Sequence, residues 1–239
     1  MPGMTYIQSN VSYFNVGGIV NNLACPYLSN NAQGNIGVAF QNYNNGNVSS
    51  TISDTNGNIW YQLPIPLYNF GGIAIWICPS LKSGANIVTC TFLGTGTNRG
   101  EFIVMEYQPP PCPFGQVGIQ AFWWTPFVNY YDPQLNITSY YSVSQGPFWH
   151  TLIACVKCGP NSSSGVTRTW AATPSAFSID YGLRIQYIEP GTDNSGAVAD
   201  TTVAYPTKQN SLLFAGAPGT PPINSGETIL AGVLLTTIS

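Results

Sequence analysis

The sequence predicts an all-β protein, an antiparallel β-sandwich of jelly-roll type with a long aromatic and proline-rich loop insertion. Three observations predict it. Short apolar runs bounded by Gly, Pro and Asn recur along the whole length, while the 3.6-residue period of an amphipathic helix is almost absent. The residues between the runs carry turn chemistry, including an Asn-Gly pair that tolerates positive φ. Hydrophobic residues make up 44% of the 239-residue chain, which suffices for a sizeable core and argues against disorder.

The runs follow in order. Residues 35–41, 48–53, 59–63, 72–78, 86–93 and 101–108 read as the strands of a first half. In Ile73-Ala74-Ile75-Trp76-Ile77-Cys78 both faces are apolar, so this strand is expected to be central and covered on both sides. The run from Glu101 to Tyr107 is nearly continuous as well. Asp54-Thr55-Asn56-Gly57-Asn58 is expected to close a hairpin, Lys82–Asn86 connects the next pair, and Asn42–Gly46 makes a third connection. Residues 150–157, 182–189, 197–204, 211–215 and 227–238 supply the second half. One domain over 1–239 is expected, with a first half at 1–108, an excursion at 109–149 and a second half at 150–239. The excursion opens with Pro109-Pro110-Pro111-Cys112-Pro113, where proline removes strand donors and stiffens the path.

Charge is the outstanding compositional feature. Only 6% of the residues are Asp, Glu, Lys or Arg, against about 25% in an ordinary soluble domain. Asn, Ser, Thr, Gly, Pro and Tyr take their place. A surface of neutral hydrogen-bonding groups suits a protein outside the cell, one packed densely against its copies, or one carrying glycans. The net charge is −3 with six Lys plus Arg, too few and too scattered to neutralise nucleic-acid phosphates. No run approaches the roughly 18 apolar residues that a membrane-spanning helix needs. Met1-Pro2-Gly3-Met4 has neither the basic nor the apolar region of a signal peptide.

Several motifs of the first half stand at recognisable spacing: Gln33-Gly34-Asn35-Ile36-Gly37-Val38, Asp54-Thr55-Asn56-Gly57-Asn58-Ile59-Trp60, Gly84-Ala85-Asn86-Ile87-Val88-Thr89-Cys90-Thr91-Phe92, and Glu106-Tyr107. This succession resembles a β-sandwich module of large secreted bacterial proteins and of some phage structural proteins. The resemblance covers residues 31–107 well; residues 183–188 and 227–235 resemble the module's closing strands more weakly. It implies a fold more than a function, since these are turn and core signatures. The chain departs from the pattern in Trp60, where Tyr is usual, in Cys90, where an aliphatic residue is usual, and in the aromatic insertion. The overall composition also resembles that of jelly-roll proteins on the outside of virus capsids.

Residues that could carry chemistry are few. The single histidine, His150, heads an apolar strand and reads as structural; no G-x-S-x-G elbow accompanies it. Glu101 and Glu106 are an odd number of residues apart, so a regular strand puts them on opposite faces and they cannot flank one glycoside. Asp54, Asn56 and Asn58 copy the first positions of a calcium loop but lack the later bidentate acid, which leaves a weak metal candidate beside the turn reading. Cys25, Cys78, Cys90, Cys112, Cys155 and Cys158 are disulfide candidates in an oxidising setting. Cys78–Cys90 and Cys155–Cys158 are pairings that the spacing admits, and the Cys155-x-x-Cys158 spacing also copies half a zinc site. Asn10, Asn47, Asn136 and Asn161 begin glycosylation sequons. The aromatic cluster Trp123, Trp124, Phe127, Tyr130, Tyr131, Tyr140, Tyr141 and Trp149 is a candidate for core filling, for a subunit interface or for stacking on sugars.

These readings converge on a non-enzymatic extracellular structural or adhesion subunit, displayed on a virion or a cell-surface assembly. Its expected partners are copies of itself or other structural subunits, with glycans as a further candidate, and no nucleic acid, membrane insertion or cofactor. The alternative is a carbohydrate-binding module of a secreted protein. A glycoside-active enzyme comes third.

Overall fold

The computed structural model describes residues 4–43, 49–64, 72–93, 97–111, 116–125, 139–140, 149–158, 170–174, 180–188, 195–204, 209–210, 212–216 and 228–238. Among the described residues there is no helix, and every strand pairing is antiparallel. The chain divides into two compact units, Thr5–Gln108 and Pro109–Ser239 with Met1–Met4. The sequence reading expected one sandwich, with residues 109–149 as an excursion between its halves. The boundary at Gln108 falls instead where the proline run begins, and part of the expected excursion is a strand of the second unit, Gln116–Thr125.

The first unit carries β1 (Thr5–Val20), β2 (Asn22–Pro26), β3 (Ile36–Tyr43), β4 (Ser49–Asp54), β5 (Tyr61–Gln62), β6 (Gly72–Cys78), β7 (Ile87–Leu93) and β8 (Thr97–Gln108). They form a five-stranded sheet in the order β1-β8-β3-β6-β5 and a three-stranded sheet in the order β2-β7-β4. Only β5 and β6 pair with a neighbour in sequence. All other pairs of consecutive strands lie in different sheets, which is consistent with a β-sandwich. One continuous core joins Ala39, Trp76, Phe102 and Val104 of the larger sheet to Cys25, Val88, Cys90 and Phe92 of the smaller. The alternate residues of β3, β6 and β8, such as Phe40, Ile75 and Met105, are buried too. The expectation that residues 73–78 are covered on both faces is therefore met: all six are buried.

The Asn56-Gly57 turn forms, but it closes no hairpin. It leads from β4 in one sheet to β5 in the other. Gly57 donates to the Asp54 carbonyl at 3.2 Å and takes φ +64°, the left-handed region that glycine enters without Cβ strain. Lys82–Asn86 likewise connects β6 to β7 across the two sheets. Turn signals locate a reversal of the chain; they do not say whether the strands on either side share a ladder.

Edge strand β1 is uncharged along its length. A bulge at Ile7 shifts its register against β8. Its flank is held by side chains: Gln8 accepts from the Ser29 backbone at 2.9 Å and donates to its carbonyl at 3.2 Å, and Asn10 donates to the Pro26 carbonyl at 2.8 Å. Amide side chains thus tie β1 to the segment around Pro26 and Ser29.

The second unit carries β9 (Gln116–Thr125), β10 (Ser139–Tyr140), β11 (Trp149–Cys158), β12 (Trp170–Pro174), β13 (Asp180–Ile188), β14 (Ser195–Ala204), β15 (Gln209–Asn210), β16 (Leu212–Gly216) and β17 (Thr228–Ile238). Its main sheet runs β13-β14-β11-β17-β9, and two short ladders pair β10 with β15 and β12 with β16. Ile153, Val233 and Leu235 are buried, and Ile153 pairs with Val233 across β11 and β17.

Candidate functional site

The densest polar cluster of the first unit lies where the segments 27–35, 54–60 and 79–87 meet. The backbone ties them first. Asn31 and Gly84 exchange two hydrogen bonds, at 2.9 and 3.1 Å, Gly34 donates to Leu81 at 2.9 Å, and Leu81 donates to Asn35 at 2.7 Å. Thr55 donates to Ile87 at 3.1 Å and Tyr27 to Asn86 at 3.0 Å. Gly34 and Gly84 hold φ +84° and +115° at these crossings, a backbone conformation that glycine adopts without the strain a Cβ would bring.

Two carboxylates fasten the cluster. Asp54, at the end of β4, accepts from the backbone of Asn56 and Asn58 through Oδ1, at 3.1 and 2.9 Å. Its Oδ2 accepts from Asn58 Nδ2 at 2.7 Å, Trp60 Nε1 at 2.9 Å and Asn86 Nδ2 at 3.4 Å. Partial burial pushes the Asp54 carboxyl up, and these donors outweigh it, holding the group below the usual Asp range. The Trp60 ring lies over β3 at Gly37, where a Cβ would come within 2.6 Å of its Cη2. Trp60, a departure from the resembling module, supplies an indole N–H that reaches the Asp54 carboxylate.

Glu106, on β8, is fully buried. Its Oε1 accepts from Ala32 N at 3.0 Å and Asn35 Nδ2 at 2.6 Å; its Oε2 accepts from Asn31 Nδ2 at 2.8 Å and from Gln8 Nε2. Burying a carboxylate is costly unless its lone pairs are met, and here two donors meet each oxygen. Tyr27 donates its hydroxyl to the Met105 carbonyl at 3.1 Å. Burial raises its phenol well above the ordinary value, and the Glu106 charge adds to this.

The chemistry available is that of a fastener. Every donor on the two carboxylates is an amide, a backbone N–H or an indole. Their acceptor capacity is spent on loops, which leaves a poor general base. β8 runs in unbroken register against β3 from Glu101 to Tyr107, so Glu101 and Glu106 fall on opposite faces as the sequence implies. Asp54, Asn56 and Asn58 do come together. The weak calcium reading fails on donor geometry: the Asn58 amide nitrogen faces Asp54, and its oxygen accepts from Lys82 N at 2.8 Å. Among the described residues no group of three His, Cys, Asp or Glu side chains is placed to hold a metal.

No family model, curated protein or solved structure matches the chain.

The other sequence candidates fall as follows. Cys25, Cys78 and Cys90 are buried free thiols, which corrects the expectation that they are bridged. Cys78 and Cys90 end up on opposite sheets, because β6 and β7 are not a hairpin. Burial pushes Cys78 up to about 11 and Cys90 to about 12, and raises Cys25 as well. Cys155 and Cys158 both lie in β11, which pairs without a register shift through Cys158. Positions three apart in a strand are about 10 Å apart, beyond the roughly 7 Å Cα limit of a disulfide, so a bridge between these two does not fit. Cys112 lies outside the described residues. Asn10 sits in β1 with its amide held by Pro26; Asn47, Asn136 and Asn161 lie outside the described residues. Trp123 and Trp124 are in β9, opposite Gly232 and Ala231 of β17. Tyr140 is in β10, Trp149 and His150 open β11, and Phe127, Tyr130, Tyr131 and Tyr141 lie outside the described residues.

Sequence reasoning missed Gln8, Asn31 and Gly37. Gly37 stood within a quoted motif, but nothing local indicates that a tryptophan lies on it. Gln8 carries no local signal.

Proposed function

We propose that the chain is a non-enzymatic structural subunit, built from two jelly rolls in tandem, that assembles with copies of itself on the surface of a virion or a cell. The observation that carries this reading is the strand order, which recurs. A jelly roll is a long eight-strand hairpin rolled up, so its first strand pairs with its last, its second with its seventh and its third with its sixth. The pairings β1–β8, β2–β7 and β3–β6 follow that rule, and rolling brings β3 beside β8 and β4 beside β7. In the second unit β9–β17 and β11–β14 repeat the first and third pairings, and β11–β17 repeats the roll. With β15 and β16 together in the place of the seventh strand, β10–β15 and β12–β16 supply the rest. The outer strands β5 and β13 each join the larger sheet of their unit instead of completing the smaller one.

Fold alone does not choose a function, since jelly rolls serve capsids and lectins alike. The scarcity of charge favours assembly, because a dense array of copies meets little like-charge repulsion. Both charged hubs of the first unit are engaged with its own loops. The aromatic segment is the proposed contact: β9, with Trp123 and Trp124, lies at the edge of its sheet, and Trp and Tyr are enriched at interfaces. Negative-stain microscopy of the purified full chain over a range of concentrations tests the reading. Ordered particles or sheets are expected, and replacing Trp123 and Trp124 together by Ser should leave a folded protein that assembles less. A chain that stays monomeric throughout while binding a glycan array would replace this reading with the carbohydrate-binding one.

A further inference from the structure

Asn56 differs from the other asparagines of the loop cluster in two respects. It is the only asparagine among the described residues that is followed by glycine. Its side-chain nitrogen is also buried without a hydrogen-bond partner. By contrast, Asn31 and Asn35 donate to Glu106, Asn58 and Asn86 donate to Asp54, and Asn10 donates to the Pro26 carbonyl. Loss of any of those amides gives up a hydrogen bond, most of them to a charged acceptor. Loss of the Asn56 amide removes a buried donor that has no acceptor, so the fold opposes its departure least.

We propose that Asn56 is a self-modification site that converts to aspartate and isoaspartate through a cyclic imide with Gly57. The Gly57 amide nitrogen gives its proton to solvent base and attacks Asn56 Cγ. An N–Cγ bond forms, the Cγ–Nδ2 bond breaks, and the nitrogen leaves as ammonia. Water then opens the imide at either carbonyl, giving a normal or a side-chain-linked aspartyl residue. No oxidant, reductant or cofactor takes part. Glycine suits the attack because no Cβ crowds its nitrogen, and Gly57 is exposed on a turn, so water and base reach it. The Gly57 N–H must first release the Asp54 carbonyl, which it meets at a long 3.2 Å. The product matters because Asp54 Oδ1 accepts from the Asn56 backbone at 3.1 Å. A second carboxylate there repels the first, and an isoaspartyl link adds a main-chain carbon inside the turn. The loop cluster would therefore loosen with age.

The test is to hold the folded full-length protein at mildly alkaline pH beside a urea-unfolded sample. Amide loss is mapped by peptide mass, and isoaspartate by enzymatic methyl labelling. In the folded protein Asn56 should convert within about tenfold of its unfolded rate, as expected for a turn that needs little opening, while Asn31, Asn35, Asn58 and Asn86 stay amides. Gly57→Ala should slow the conversion, and Asn56→Asp should lower the melting temperature without any incubation. Protection of folded Asn56 by more than about tenfold, or equal conversion of the carboxylate-held asparagines, would overturn the proposal.

Discussion

Asp54 and Glu106 do the same work at different depths. Asp54 is half-buried, and most of its donors come from the turn that follows it, within six residues. Glu106 is fully buried and takes its side-chain donors from residues 71, 75 and 98 positions away. One carboxylate shapes a local turn; the other pins the β2–β3 segment and β1 to β8. The difference teaches that depth sets the cost of failure. Water can replace a lost partner at Asp54, whereas at Glu106 the abandoned amides of Asn31 and Asn35 stay buried.

The largest effect should follow from Glu106→Ala. It strands the buried amides of Asn31 and Asn35, at about 1–3 kcal/mol for each buried donor, and also removes the bonds from Gln8 and the Ala32 N–H. The sum is about 2–6 kcal/mol, in the range of the largest single-substitution effects, so thermal unfolding should show a large drop in the melting temperature. A mild loss would mean that water or other side chains take over the Glu106 position. Next comes Gly37→Ala, which drives a Cβ into Trp60. Overpacking of this kind costs about 1–3 kcal/mol, and a Trp60→Phe background should relieve part of it, since the indole is then absent.

Asp54→Asn sharpens the comparison at a smaller scale, with an expected loss of about 1–2 kcal/mol at neutral pH once exposure is allowed for. The sign of its pH dependence is fixed. The folded Asp54 carboxyl lies below its ordinary value, so its contribution is complete above the unfolded value, near pH 4, and disappears as pH falls through the folded one. Wild type and Asp54→Asn should therefore converge in melting temperature on acidification, and a gap that persists would contradict the shift. The smallest effect concerns reactivity. With their thiols pushed up by burial, Cys25, Cys78 and Cys90 should resist alkylation in the native protein and react on unfolding; rapid native labelling of these three would contradict their placement.

Much of the architecture was legible because strand patterning is local. The runs at 72–78 and 101–108 alternate or stay apolar over whole strands, and β6 and β8 lie there. β1 and β2 were not read: β1 mixes Asn, Ser and Gly with its apolar residues, and its pairing with β8 comes from the far end of the unit. β9 was hidden for the opposite reason, since its aromatic residues sit beside prolines that mark a loop. The candidate site was legible by half. Asp54 announced its turn through Asn56-Gly57, and Glu106 stood in a quoted motif. That Gln8 and Asn31 would meet Glu106 was not legible, because no local rule links residues so far apart in sequence. The cysteine pairing failed for a related reason: it assumed that strands adjacent in sequence are adjacent in a sheet.

The most direct measurement is amide hydrogen exchange on wild type, Glu106→Gln and Asp54→Asn. If the carboxylates are separate fasteners, Glu106→Gln should raise exchange across residues 29–35 and at the Gln8 end of β1 while leaving 54–60 protected, and Asp54→Asn should do the reverse. Loss of protection in the same segments in both variants, or in neither, would contradict the account.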